Sequence, residues 1–305
     1  MPAASAAGKD SSKSRHGDPG LEQPPHLSVN PALFQKFQTL IYAETGIWLG
    51  SSKTALLCGR LFRRLRALEI ASLEGYYDCV SRPDQHEERA QMIDAITTNE
   101  TRFYREPRQF AFLEQKVFPR WHARAERGLS PRRLQIWSAG CSSGEEPYTA
   151  AMLLERNFPA KKGWDVRLLA TDISNRVLER ARKGIYPIAK AAELPDDLLR
   201  GFMLRGIAER QGEMKVKIEI QQMVDFRKLN LDQQTELHEG PFDAIFCRNV
   251  LIYFDQPTKA KVLEGISKQM PTDGMLYLGG AETVLGISDK FKPIPNQRGI
   301  YGLTA

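Results

Sequence analysis

Residues 134–148 read Leu134-Gln135-Ile136-Trp137-Ser138-Ala139-Gly140-Cys141-Ser142-Ser143-Gly144-Glu145-Glu146-Pro147-Tyr148. Leu134 to Trp137 is a short apolar strand, the next residues are small, and Pro147 marks the start of a helix through Leu154. Small residues let a ligand approach the backbone, and a helix start offers free N–H donors. Open α/β sheets bind ligands at the carboxyl ends of their strands, where this loop falls. It is neither G-x-G-x-x-G nor a Walker A loop, since no Gly-Lys-Ser/Thr follows. Glu145 and Glu146 at the helix mouth argue against a phosphate and suit a cationic ligand.

Downstream, strand and helix patterns alternate. Val166 to Ala170 is a second strand, followed by Asp172 and by a helix to Arg182 that Ser174 can cap. Val224–Phe226, Phe242–Cys247 and Gly274–Leu278 are further strands, with a helix from about Lys259 to Met270. The pattern predicts an α/β sheet covered on both faces. Asp172 is either an acceptor for the ribose hydroxyls of an adenosine group or a helix cap; Ser174 can fill the capping role and leave Asp172 free. The Phe242 strand runs into Arg248-Asn249, which puts polar groups over the presumed pocket, with Tyr253 just beyond. Residues 186 to about 222 break the rhythm. Met214 to Ile220 alternates apolar and polar, a half-solvated strand foreign to a doubly covered sheet, and predicts a small inserted β-subdomain.

Upstream, residues 1–28 are rich in Ala, Ser, Gly, Pro and Lys, too poor in large apolar side chains to order themselves, and predict a disordered tail. Residues 29–98 read as an all-helical domain and 99–305 as the sheet domain. Asn30 caps a helix with Pro31 at its first position. A second helix spans roughly Lys53 to Ile70, with Leu57, Leu61, Leu65 and Leu68 as its core stripe. Between 53 and 66 it carries Lys53, Arg60, Arg63, Arg64 and Arg66 and no acid. Lys53, Arg60 and Arg64 share one face, flanked by Arg63, and are expected to be exposed. That face is either a solvated surface or a docking site for an acidic partner.

The chain has 305 residues, 42% hydrophobic and 26% charged, with a net charge of +6. No apolar run is long enough to cross a bilayer and Met1 to Gly20 lacks an apolar signal segment, so a cytoplasmic protein without membrane insertion is expected. The cysteines Cys58, Cys79, Cys141 and Cys247 form no C-x-x-C pair and the five histidines show no ligand spacing, so neither disulfides nor a metal site is expected.

Four segments, Thr97-Thr98-Asn99-Glu100-Thr101-Arg102-Phe103-Tyr104-Arg105, Ser138 to Tyr148, Ala170-Thr171-Asp172-Ile173 and Phe242 to Phe254, stand together in one order. In that order and spacing the chain resembles the chemotaxis receptor glutamate methyltransferases (CheR-type) from about residue 30 to 303. The resemblance implies a Rossmann-like class I methyltransferase sheet with an N-terminal helical domain and an inserted small antiparallel β-subdomain. It implies S-adenosyl-L-methionine as cofactor, with S-adenosyl-L-homocysteine as product and no metal. Around the cofactor it places Asn99, Thr101, Arg105, Glu146, Asp172, Asn230, Leu231, Arg248 and Asn249. Glu146 would stand at the methionine end, Asp172 at the ribose, and Asn230-Leu231 at the adenine. Arg105 and Tyr253 would flank the transferred methyl group. The partner implied is the cytoplasmic helices of methyl-accepting chemotaxis receptors, docked on the basic helix by a monomeric enzyme. Family members that grip a receptor tether carry a Gly-x-Gly-like turn; Gly206-Ile207-Ala208 lacks one glycine, which counts against tether binding here.

Two other readings were weighed. A nucleic-acid methyltransferase would suit the basic charge, but the Phe242 strand ends in Arg-Asn rather than Asn-Pro-Pro-Tyr, and no basic-aromatic platform for RNA is present. A cofactor-binding regulatory module without turnover would not require Arg105 and Tyr253.

Overall fold

The computed structural model describes residues 29–237 and 239–304. The expected tail, with His16 and His26, and His238 lie outside them. Four helices come first: α1 (Pro31–Thr45), α2 (Thr54–Ala67), α3 (Leu73–Val80) and α4 (His86–Ile96). The Asn30 side chain accepts the Leu33 N–H at 2.7 Å, and Gly46 at φ 71° ends α1. Leu33, Phe37 and Ile41 pack with Leu57, Leu61, Leu65 and Tyr76 into a core of their own. Leu68 does not extend the leucine stripe. Helix α2 stops at Ala67, Glu69 reverses the chain at φ 55°, and Leu68 is left 40% exposed.

The basic face also departs from expectation. Arg64 pairs with Glu88, a carboxylate that is 8% exposed and also accepts the buried Tyr76 hydroxyl at 2.7 Å. Arg60 donates to the Ile96 carbonyl and to Thr98 Oγ1. Lys53 lies over the Tyr253 ring, 5.7 Å from its centroid. Arg63 and Arg66 remain exposed. Half the face therefore turns inward, because the acid of α4 and the helix's own carboxyl-end carbonyls are close enough to claim the guanidinium groups.

After α5 (Pro107–Phe112) and α6 (Phe118–Glu126) comes the sheet: β1 (Arg133–Ala139), α7 (Glu145–Asn157), β2 (Asp165–Asp172) and α8 (Asn175–Lys183). The insertion follows, with β3 (Ile185–Pro187), α9 (Asp196–Phe202), β4 (Met203–Arg205), β5 (Glu213–Val216) and α10 (Ile218–Gln221). The chain then returns through β6 (Val224–Lys228), β7 (Ala244–Cys247), α11 (Gln256–Lys268), β8 (Met275–Leu278), β9 (Phe291–Pro293) and β10 (Ile300–Leu303). The large sheet has seven strands in the order β6-β2-β1-β7-β8-β10-β9. Its first five are parallel, and β10 is antiparallel to both neighbours. Along β1, Leu134 and Ile136 enter one core and Trp137 and Ala139 the other, so both faces are covered as the sequence predicts.

The inserted strands form an antiparallel sheet in the order β3-β5-β4. The alternating run from Met214 stops at Val216 instead of Ile220; Lys217 turns the chain into α10, which buries Ile220 and leaves Ile218 61% exposed. Ala208 takes φ 49°, in the left-handed region that favours a glycine.

Chain order decides where a ligand can sit. The chain moves outward from β1 to β2 and β6, then crosses to β7 on the other side of β1. The crevice at the carboxyl ends of β1, β2 and β7 is thus a topological switch point.

Arg64→Glu should lower stability by about 3 kcal/mol in denaturant unfolding, since it sets two carboxylates against each other at a part-buried site. Arg63→Glu, on the exposed side, should change it by less than about 0.5 kcal/mol. Equal effects would contradict the inward pairing of Arg64.

Candidate active site

At the switch point lies a cavity of about 370 Å³. Its floor is the loop after β1. Gly140 has φ 80°, and a Cβ there would come within 2.4 Å of Val250 Cγ2, so no larger residue fits. The Gly140 and Cys141 N–H groups both donate to the Thr171 carbonyl, which draws the loop onto the end of β2. Helix α7 begins at Glu145, two residues before the expected start at Pro147, and takes both acids into its first turn.

Asp172 is the last residue of β2 and 8% exposed. It is not free, as the sequence reading had it. Its Oδ2 accepts the Ser142 N–H and its Oδ1 the Ser174 N–H, each at 2.9 Å, while the Ser174 hydroxyl still caps α8. Each oxygen keeps a lone pair for a ligand. Burial pushes the Asp172 carboxyl above the usual aspartate range, against the two N–H bonds that favour its anion.

Glu146 accepts the Ser138 hydroxyl at 2.7 Å on one oxygen and Arg248 Nε at 2.6 Å on the other. The Arg248 side chain is 1% exposed. Its Nη1 donates to the Arg105 carbonyl at 2.5 Å, and its guanidinium lies over Phe110, 4.9 Å from the ring centroid. Asn249 is held at φ 61° with its N–H donating to Glu282 at 2.7 Å.

Asn99, Thr101 and Arg105 reach the cavity from the irregular segment between α4 and α5, and Asn230 and Leu231 from the loop after β6. Asn230 bridges to the helical region through the Glu44 carbonyl at 3.1 Å. Tyr253 lines the mouth together with Lys53. All nine residues implied around the cofactor, and Tyr253, therefore wall one cavity. Of the four basic residues expected at a docking face, Lys53 joins that wall and Arg63 is free in solvent.

The sequence reading missed Glu282. Its carboxylate accepts the N–H groups of Asn249 and Gly279 at 2.7 Å and of Ile252 at 3.3 Å, fixing the turn that carries Asn249 and Tyr253. The signal was an acid shortly after the Gly279-Gly280 pair at the end of β8, the placement that singled out Asp172 after β2. The four cysteines are free thiols, Cys141 and Cys247 buried. Among the described residues no cluster of His, Cys, Asp or Glu has metal-ligand geometry, and no helix is long and apolar enough to cross a membrane.

Arg248 and Asn249, both in the cavity wall, each keep one buried polar atom without a hydrogen-bond partner, Nη2 and Oδ1 respectively. Sheet order and cavity together define a Rossmann-like methyltransferase of the class I type.

The comparisons with known proteins agree. Residues 99–300 match the family model described as "CheR methyltransferase, SAM binding domain", and residues 32–97 match "CheR methyltransferase, all-alpha domain". The chain belongs to the CheR methyltransferase family, and its cofactor is S-adenosylmethionine. It is 38% identical over 258 residues to chemotaxis protein methyltransferase 2 of Pseudomonas aeruginosa, covering 84% of this chain and 88% of that protein. To the chemotaxis protein methyltransferase of Escherichia coli it is 36% identical over 272 residues, covering 89% and 91%. Among solved structures, PKMT2 of Rickettsia typhi with AdoHcy shows a partial likeness, with 17% identity over 48% of this chain and 21% of that one and a TM-score of 0.30.

Glu146→Ala strands the Arg248 guanidinium in the interior. It should cost about 3 kcal/mol of stability in chemical unfolding; a loss below about 1 kcal/mol would mean that Arg248 finds water instead.

Proposed function

We propose that this chain esterifies glutamate side chains on the cytoplasmic helices of bacterial chemotaxis receptors, working in the cytoplasm as a monomer. The observation that carries the reading is one cavity walled by all nine residues implied around the cofactor, together with Tyr253 and Lys53. The relatives' shared name, chemotaxis protein methyltransferase, supports the partner.

When bound, S-adenosylmethionine supplies an electrophilic methyl group. Asp172 is assigned to the ribose hydroxyls and Asn230 with Leu231 to the adenine. Arg248, which lines the cavity, is assigned to the methionine end, and Glu146 holds its guanidinium in place. Glu146 itself, committed to Ser138 and Arg248, thus acts on the methionine end through Arg248. Asn99, Thr101 and Asn249 close the remaining wall.

The acceptor needs no general base, because a glutamate with a pKa of about 4.3 is already an anion at neutral pH. The chain must instead bring that anion to the methyl group and strip it of water. Arg105 carries the charge to orient it, with one long bond to the Glu100 carbonyl as its present restraint, and Tyr253 offers a hydroxyl donor at the mouth. Lys53 at the mouth and the exposed Arg63 give an acidic helix a favourable approach. The end of β7 reads Arg248-Asn249 rather than Asn-Pro-Pro-Tyr, which speaks against a nucleobase acceptor.

The test is transfer of labelled methyl groups from S-adenosylmethionine to receptor cytoplasmic fragments, followed by mild alkali. Label released as volatile methanol identifies methyl esters. Alkali-stable label, or label on nucleic acid alone, would overturn the proposed substrate.

A further inference from the structure

The inserted unit leaves the sheet domain after α8 and returns at β6, but its first residues reach back under the cofactor cavity. Lys190, in the 3₁₀ turn Ile188–Glu193, donates to the Thr101 carbonyl at 3.0 Å and to Glu145 Oε1 at 2.9 Å. Glu193 Oε2 accepts the Phe103 N–H at 2.8 Å. The buried Phe103 ring meets the Tyr186 ring edge-on, with centroids 4.8 Å apart, and the Tyr186 hydroxyl donates to the Ser143 carbonyl at 2.7 Å. These contacts grip both segments that wall the cavity, 99–105 and 141–146.

Residues 97–106 have no helix or strand to hold them, and Tyr104 and Glu106 sit at φ 49° and 60°. A segment without ladder hydrogen bonds is placed by whatever side chains satisfy its backbone. The sheet domain supplies three such bonds: Ser142 Oγ donates to the Asn99 carbonyl, Thr149 Oγ1 accepts the Tyr104 N–H, and Arg248 Nη1 donates to the Arg105 carbonyl. The bonds at Thr101 and Phe103, between Asn99 and Tyr104, come from the insertion. Neither Lys190 nor Glu193 lines the cavity, so neither touches a bound ligand.

We propose that Lys190 and Glu193 are positioning residues: the inserted unit sets the place of Asn99, Thr101 and Arg105 over the cofactor. The inference rests on the assignment of that cavity to S-adenosylmethionine. It makes the insertion part of the cofactor site's framework. Lys190 is suited to the task because its flexible stem delivers several donors at once, one neutralising Glu145, a carboxylate 1% exposed, and another fixing the Thr101 carbonyl.

Lys190→Met alone would strand the Glu145 charge, so it is combined with Glu145→Gln; Glu193→Gln and Lys190→Arg are made singly. S-adenosylhomocysteine affinity is measured by calorimetry, hydrogen exchange of residues 99–105 in cofactor-free protein, and the thermal midpoint alongside. The double variant should bind about tenfold more weakly and exchange the Phe103 and Tyr104 amides faster. Glu193→Gln should shift both in the same direction, and Lys190→Arg should keep near wild-type values. A lowered thermal midpoint with affinity within about twofold of wild type and exchange unaltered would show a structural role only and overturn the proposal. Wild-type protein that fails to bind S-adenosylhomocysteine would instead remove the cofactor assignment beneath it.

Discussion

The buried ion pair between Glu146 and Arg248 is the contact on which the cavity depends. It joins the first turn of α7 to the end of β7, and through Ser138 and the Arg105 carbonyl it adds β1 and the segment before α5. These pieces lie more than a hundred residues apart between Glu146 and Arg248, yet one guanidinium fixes them. Such a pair is costly to desolvate, and an apolar replacement often stabilises a fold equally well. Here the pair also leaves the buried Nη2 of Arg248 without a protein partner, so what it contributes is the joining of these distant pieces.

The other carboxylates follow the same logic in graded form. Asp172 and Glu282 each accept backbone N–H groups at strand ends, and burial raises both above their usual range. Asp172 fixes the loop that admits the cofactor, and Glu282 fixes the left-handed Asn249 and the turn to Tyr253. Glu145 extends the frame outward to Lys190 and the inserted unit. Acids that would repel a phosphate thus serve as rigid acceptors around a site suited to a cationic sulfonium. Lys53 in the cavity wall and the exposed Arg63 and Arg66 add positive charge on the side of the helical region.

Much of this was legible in the chain. The apolar runs at Leu134, Val166, Phe242 and Met275 announced parallel strands because a sheet covered on both faces needs continuous burial, and the polar residues at their carboxyl ends marked the site. The resemblance supplied Asn230 and Leu231, for which local pattern gave no signal, and singled out Asn99 within the polar cluster Thr97 to Arg105. The short strands β9 and β10 went unread because three or four residues carry too little periodicity. Pairing was hidden for a different reason. Helical spacing alone predicts Arg60 and Arg64 to be exposed, whereas Ile96, Thr98 and Glu88 that claim them lie on α4 and just beyond it, and no helical wheel shows a neighbour. Lys190 and Glu282 escaped for the same cause, since Thr101 and Glu145 that hold Lys190, and Asn249 and Ile252 that hold Glu282, are distant in sequence.

The account turns on the claim that the Glu146–Arg248 pair builds the cofactor site. A double-mutant cycle measures that directly, with S-adenosylhomocysteine affinity determined calorimetrically for wild type, Glu146→Gln, Arg248→Met and the combination. If the two residues act as a unit, the second substitution should cost little once the first is made, leaving a coupling energy of at least about 1 kcal/mol. Losses that simply add, to within about 0.3 kcal/mol, would mean that the two residues meet the ligand independently and that the pair does not organise the site.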